Sequence, residues 1–220
     1  NGMLISREAV GVCALINPWN YPLLQMLGKV GPALAAGCTV VEKPSEETPS
    51  ADFIMAEIFD SVGLPPGVFN LINGVGAEVG PLMSSHPEAD MVSFTGSTRA
   101  GVSVALNAAP SVKRVCQELG GKSALIITAD ADLKSAVKYG IDNVFLNAGQ
   151  TCDALTRMLI PEECYEECVD IARLATLRAC TARWVRAYPC AKSSAWMNTS
   201  RLANPKEPRW CMEALVCRRG

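Results

Sequence analysis

The 220-residue chain has a single histidine, His86, and few aromatic residues: five Phe, four Tyr and four Trp. With one histidine and no C-x-x-C spacing, a zinc site has few ligands to draw on, and no metal centre is expected. No apolar run approaches the length needed to cross a bilayer, so no membrane role is expected. The chain starts at Asn1 rather than Met and has no basic-then-apolar leader, which predicts an internal piece of a longer, cytoplasmic protein. About half of the residues are apolar (49%), which predicts a globular fold: one good core, or one domain and part of another.

Ten cysteines are present, yet their context argues against a disulfide framework. Cys13, Cys38 and Cys116 sit in apolar runs that read as strands or strand edges, where small buried thiols fit well. Cys164 and Cys168, one helical turn apart, read as buried neighbours rather than metal ligands.

The net charge of −2 conceals an asymmetry. From Ala175 onward nine Lys or Arg face two acids, Glu207 and Glu213, giving +7, so residues 1–174 carry −9. The same tail holds three of the four Trp and four of the Cys but shows no sustained strand or helix period. Its charges are scattered among Trp, Cys and Pro rather than gathered on a face, so nucleic-acid binding is not expected. Residues 175–220 read as an atypical basic tail, translated out of frame from near Leu174.

Before that point strands and helices alternate. Val10 to Ile16, Thr39 to Glu42, Val68 to Ile72, Met91 to Thr95, Val112 to Glu118 and Ala124 to Ile127 read as strands. Helices are expected from about Leu23 to Ala36, from Thr48 as N-cap with Pro49 at the first turn, after Gly76, from Thr98 to Asn107, and from an Asp130 cap to about Leu146. Ile54, Ile58 and Val62 give the second helix an apolar stripe, and Gly63 stops it. This order predicts an α/β fold: a Rossmann-like, mainly parallel sheet with helices on both faces, then the start of a second α/β domain. In such sheets ligands bind beyond the carboxyl ends of the strands.

The candidate groups sit there. Phe94-Thr95-Gly96-Ser97-Thr98 joins a strand to a helix, and a helix start offers unpaired N–H groups to a phosphate; an ordinary N-cap reads the same way. Gly74, Gly76 and Gly80 narrowly miss the dinucleotide glycine pattern, since the third glycine comes one residue late. Lys43 ends a strand, where a cation can reach ribose hydroxyls or a phosphate. Glu46 can accept from a ribose 2′-OH and would repel a 2′-phosphate, favouring NAD over NADP. Cys152 lies on a loop just past a helix, a position open to a nucleophile, although most cysteines are small core residues. Glu118 at a strand end can act as a general base, or stand as a solvated charge.

Together these segments resemble the NAD(P)-dependent aldehyde dehydrogenase superfamily. Five stretches occur in the family order and at about its spacing: Asn17-Pro18-Trp19-Asn20-Tyr21-Pro22, Lys43-Pro44-Ser45-Glu46, Phe94 to Ser97, Glu118 to Lys122, and Gly149-Gln150-Thr151-Cys152. The resemblance runs to about residue 174. It implies a dinucleotide-binding domain over 1–117 and a partial catalytic domain over 118–174. It makes Cys152 the nucleophile, Glu118 the general base, and the Asn20 amide half of an oxyanion hole completed by the Cys152 N–H. Lys43 and Glu46 become ribose contacts and Ser97 a pyrophosphate contact, with Trp19, Gly76, Phe94, Gly96 and Leu119 as further cofactor contacts. The implied reaction oxidises an aldehyde to a carboxylic acid through a thiohemiacetal and a thioester, with NAD as acceptor, and needs no histidine. The family's longer members imply that the full-length form is a homo-oligomer. They also imply that this shorter chain is poorly folded or inactive. Two rivals remain: a truncated remnant that at most binds nucleotide, and an NAD-independent thiol esterase using Cys152 and Glu118.

Overall fold

The computed structural model describes residues 2–182 and 216–217, which form parts of two compact units, one ending at Gly120 and the other beginning at Gly121. The first unit is built on five parallel strands: β1 (Val12–Ile16), β2 (Thr39–Lys43), β3 (Phe69–Leu71), β4 (Met91–Gly96) and β5 (Arg114–Leu119). Their order across the sheet is β3-β2-β1-β4-β5. The chain winds outward from β1 in one direction, then returns to β1's other side to place β4 and β5. Helices α1 (Pro22–Ala35), α2 (Ser50–Ser61), α3 (Gly76–Ser85) and α4 (Thr98–Ala108) make the crossovers.

Because successive strand side chains point to opposite faces, β1 serves two cores at once. Cys13 and Leu15 pack with Met26 and Val30 of α1, Cys38 and Val40, with Met55 and Phe59 of α2 against them. Ala14 and Ile16 pack on the other face with Met83 of α3, Val104 of α4, Val92 and Phe94. Helices therefore cover both faces, as strands buried on both sides require.

Several boundaries differ from the sequence reading. Thr48 does not cap α2: Pro49 occupies the N-cap position, and the Thr48 hydroxyl donates instead to the Trp19 carbonyl at 3.1 Å. The Ile54, Ile58 and Val62 stripe is exposed, at 56%, 44% and 73%. The face turned inward carries Asp52, Met55 and Phe59, the last meeting Phe69 ring to ring at 5.0 Å. Val112 stands outside β5 in the left-handed region, φ 53°, and is almost wholly exposed. Cys13 and Cys38 are buried, whereas Cys116 is exposed, since β5 is the edge of the sheet and only part of its surface is covered. The first compact unit runs to Gly120, one residue past the end of β5 at Leu119.

The second unit places β6 (Ala124–Ile126), β7 (Arg157–Leu159) and β8 (Val216–Cys217) in one parallel sheet. Helices α5 (Leu133–Val144) and α6 (Tyr165–Ala182) join Val137, Ile141, Cys168 and Ala172 to Ile127 and Met158 in a core. Asp132, not Asp130, caps α5, accepting from the Ser135 N–H at 3.3 Å; Asp130 instead accepts from the Thr128 hydroxyl. Cys168 is buried and Cys164 partly so. The reading of residues 175–220 as an out-of-frame tail falls largely outside the described residues. No helix among the described residues is long and apolar enough to cross a membrane.

Candidate functional site

The first unit's sheet reverses its winding between β1 and β4, which are hydrogen-bonded neighbours. A crevice opens at such a point because the two connecting segments leave the sheet on opposite sides. The chain leaving β1 there is Asn17-Pro18-Trp19-Asn20, and the chain leaving β4 is Ser97 and α4. In register, Ile16 pairs with both Lys43 and Phe94, and Thr95 and Gly96 pair with Glu118 and Leu119. The carboxyl edge thus gathers Asn20, Lys43, Gly96, Ser97 and Glu118 from four distant stretches of sequence into one rim.

Hydrogen bonds hold the Asn17–Asn20 turn and the residue that leads into it. The Asn17 N–H donates to the Lys43 carbonyl at 3.0 Å, and its side-chain amide donates to Glu42 Oε1. The Lys29 ammonium donates to the Ile16 carbonyl at 2.9 Å, and Thr48 holds the Trp19 carbonyl as described. Asn20 is half-buried, and Trp19 is partly exposed beside it.

Lys43 is almost wholly buried, yet its ammonium is satisfied locally. It donates to the Pro44 carbonyl at 2.8 Å and pairs with Glu46 Oε2 at 3.4 Å. The other Glu46 oxygen accepts from the Gly76 N–H at 3.1 Å, so one carboxylate bridges Lys43 and the start of α3. Partial burial works against ionisation here. Hydrogen bonds from the Glu46 and Gly76 N–H groups, with the nearby ammonium, nonetheless hold the Glu46 carboxyl below its ordinary range. Val75, which precedes α3, supplies no side-chain cap.

At α4 the Ser97 hydroxyl accepts from the Ala100 N–H at 3.3 Å, the N-cap arrangement that the sequence also allowed. Gly96 is required sterically: a Cβ there would lie 2.6 Å from the Phe94 ring. Phe94 itself is buried, and it supports this loop from beneath. Leu119 is part-buried and packs against the α3–α4 core, where a Cβ on Gly101 would come within 2.8 Å of it.

Glu118 is exposed and lines a cleft of about 550 Å³ together with Leu24, Gly28, Lys29, Ser93 and Cys116. The cleft runs between α1 and strands β4 and β5. Burial lowers the Lys29 ammonium to about 8, even though Glu42, Glu118 and Cys116 pull the other way. Beneath the rim lies a buried pair of carboxyls. Burial first, then Asp52, pushes Glu42 up to about 8, and burial also raises Asp52. Lys29, Glu42 and Asp52 were not singled out from sequence. Their only signal is charge inside an otherwise apolar period: a lone cation in α1, an acid near the end of the β2 run and an acid in the first turn of α2.

Cys152 belongs to the second unit. Its thiol is free and partly exposed, on the loop that follows the short turn Leu146–Gly149. Asn147, Ala148 and Gly149 are successively left-handed, with φ of 50°, 57° and 78°. For Asn and Ala this costs about 1 kcal/mol or more each. The loop is tied back by Gln150 N–H to the Asn147 carbonyl at 3.1 Å and by the Thr151 hydroxyl to the Leu146 carbonyl at 3.3 Å. The Asn143 side chain accepts from the Leu155 N–H at 3.1 Å on the far side of the cysteine. Gly121 lies against the Cys152 carbonyl, where a Cβ would meet it at 3.6 Å. Among the described residues no group of three or more His, Cys, Asp or Glu is arranged to hold a metal ion.

Comparison with known proteins gives the same answer from three directions. Residues 1–181 match the model of the aldehyde dehydrogenase family. A 3-succinoylsemialdehyde-pyridine dehydrogenase of Pseudomonas sp. is 61% identical over 157 residues, 71% of this chain and 33% of that protein. A crystal structure of aldehyde dehydrogenase C from Pseudomonas syringae, complexed with NAD+ and octanal, superposes with a TM-score of 0.75 at 54% identity. It covers 77% of this chain and 35% of that one. The NAD+ complex of betaine aldehyde dehydrogenase from Staphylococcus aureus gives 0.73 at 45% identity, over 75% and 33% of the two chains. The chain spans about a third of the length of these relatives. With most of its length matched by the family model and its parallel sheet shared with solved members, the chain belongs to the aldehyde dehydrogenase family.

Proposed function

We propose that this chain carries the nucleotide-binding unit and the nucleophile of an NAD-dependent aldehyde dehydrogenase. The observation that carries the reading is the bracket Lys43–Glu46–Gly76 on the carboxyl edge of a family sheet. A ribose diol needs an acceptor and a donor held side by side, and here an ionised carboxylate and a buried ammonium are fixed before any ligand arrives. The carboxylate disfavours a 2′-phosphate, which favours NAD over NADP. The α4 N-terminus with Ser97 would take the pyrophosphate, whose charge suits the partial positive end of a helix. Trp19, Phe94, Gly96 and Leu119 shape the remainder of the nucleotide site.

NAD, when bound, supplies a hydride acceptor. The Cys152 thiolate attacks the aldehyde carbon, forming the C–S bond and a tetrahedral oxyanion. The Asn20 amide and the Cys152 N–H donate to that oxygen; losing one such donor typically costs about 3 kcal/mol. Collapse of the oxyanion releases hydride from the carbon and leaves an acyl thioester on Cys152. Glu118 then takes a proton from water, the hydroxide adds to the thioester, and the carboxylic acid leaves as the thiolate is restored.

Calorimetric titration of the purified chain with NAD and NADP tests the cofactor part. Tighter NAD binding, weakened by Lys43→Ala and by Glu46→Gln, is expected; binding indifferent to both substitutions sinks it. Formation of NADH from propanal, abolished in Cys152→Ala, tests the chemistry. Ester cleavage that persists without nucleotide would point to a thiol hydrolase instead.

A further inference from the structure

Beneath the rim, four buried oxygens meet no hydrogen-bond donor among the described residues: Asn17 Oδ1, Glu42 Oε2 and both carboxyl oxygens of Asp52. Glu42 and Asp52 are fully buried, and Asn17 nearly so. Asp52 comes from the inward face of α2 and Glu42 from β2, and the two carboxyls stand within hydrogen-bonding reach of each other. Lys29, from α1, is the cation facing Glu42, and it also faces Glu118 and Cys116 of β5. Two adjacent carboxylates in an apolar interior repel and lack donors, each at a cost of several kcal/mol. One proton between them gives two of the orphaned oxygens a partner and, with the Lys29 ammonium, brings the cluster to neutrality.

The position of this cluster gives it a consequence. Glu42 Oε1 receives the Asn17 side-chain amide, and Lys29 holds the carbonyl just before Asn17. Both anchors lead directly into the turn that ends at Asn20. We propose that Glu42 and Asp52 share a single proton and serve as positioning residues for the Asn17–Asn20 turn. The placement of the Asn20 amide is thereby tied to the protonation of a buried pair that touches neither substrate nor nucleotide. The inference takes its functional meaning from Asn20's role in the reading above, but its test does not use turnover, so the two fail separately.

Burial, repulsion by Asp52 and the opposing pull of Lys29 leave Glu42 at about 8, so the shared proton is held through neutral pH and released in mild alkali. The experiment is carbon-13 NMR of the full chain labelled at the Glu and Asp carboxyls, followed from about pH 5 to about pH 10. It is paired with hydrogen exchange of the peptide spanning Asn17 to Tyr21. One Glu carboxyl is expected to stay protonated until about pH 8 and to vanish from the spectrum of Glu42→Gln, with its transition displaced in Asp52→Asn. As it titrates, repulsion between two bare carboxylates should drive Glu42 away from Asp52 and off Asn17, outweighing the Asn17 amide's preference for the ionised oxygen. The turn's exchange, corrected for base catalysis, should then rise about fivefold, equivalent to one hydrogen bond of net ~1 kcal/mol, while α4 stays protected. In Glu42→Gln, whose amide can both donate to Asp52 and accept from Asn17, the turn should stay protected throughout. The proposal is overturned if no carboxyl titrates above about pH 7. It is equally overturned if the turn exchanges alike on both sides of the transition, or if the Gln variant follows the wild-type curve. Carboxyl shifts driven by added sodium or potassium rather than by pH would mark a cation in the proton's place, and would also overturn it.

Discussion

Stability of the chain should pass through a minimum near pH 8, and two buried groups set it. Glu42 is raised from 4.5 to about 8, so between those values the folded chain keeps a proton that the unfolded chain has released. Its contribution is fully present below about pH 4.5 and falls as pH rises, by up to about 1.4 kcal/mol per unit. Asp52, also raised, adds to the same arm. Lys29 is lowered from 10.5 to about 8, so in that interval the unfolded chain holds the extra proton and stability climbs again with pH. The acid arm amounts to a few kcal/mol. With a urea m-value of roughly 2 kcal/mol/M, that displaces the midpoint by about 1 M or more. Urea unfolding followed by circular dichroism at several pH values measures it. Glu42→Gln should flatten the acid arm and Lys29→Met the alkaline arm. The alkaline arm is best read below about pH 9, because burial and the neighbouring Cys38 push the Cys13 thiol up to about 12 from 9.0, adding an opposite slope above that point. A midpoint that is flat or rising from about pH 5.5 to about pH 8, or an acid slope unchanged in Glu42→Gln, refutes the reasoning.

Three further outcomes are expected. Gly11→Ala should destabilise by at least ~2 kcal/mol in urea unfolding: Gly11 has φ +115°, and a Cβ would lie 2.0 Å from the Asp90 oxygen that accepts from the Val12 N–H. Glu46→Ala should weaken NAD binding about tenfold or more in calorimetry, since it removes a charged acceptor worth roughly 1.5–3 kcal/mol and frees the Gly76 N–H. Val30→Ala removes two methyl groups from a fully buried site and should cost about 1–3 kcal/mol, with no change in NAD affinity once the chain is folded.

Much of the fold was legible along the chain. Short apolar runs separated by helical periods announce a parallel sheet, and the stretches at Asn17, Lys43, Phe94, Glu118 and Gly149 announced the family. The helix faces were less legible. The Ile54–Ile58–Val62 stripe looks like a core seam by period alone, but Asp52, Met55 and Phe59 face inward. Helical periodicity identifies a face without stating which neighbour covers it, and a buried acid on the inner face breaks the pattern that the rule relies on. Caps failed for a related reason: Thr48 has the right chemistry for an N-cap, but its hydroxyl is taken by the Trp19 carbonyl, which is 29 residues away in sequence.

The sequence by itself determined the element order as far as α5, the family, and the identity of the groups at the strand ends, because these depend on local period and on residue type. Only the tertiary structure decided that Glu46 bridges Lys43 to Gly76, that Lys29 shares a cleft with Glu118, and that Glu42 and Asp52 meet beneath the Asn20 turn. The physical reason is that charge in an interior is governed by distance and solvent access. Both are set by how β1, β2, α1 and α2 pack, and no spacing along one strand or helix encodes them.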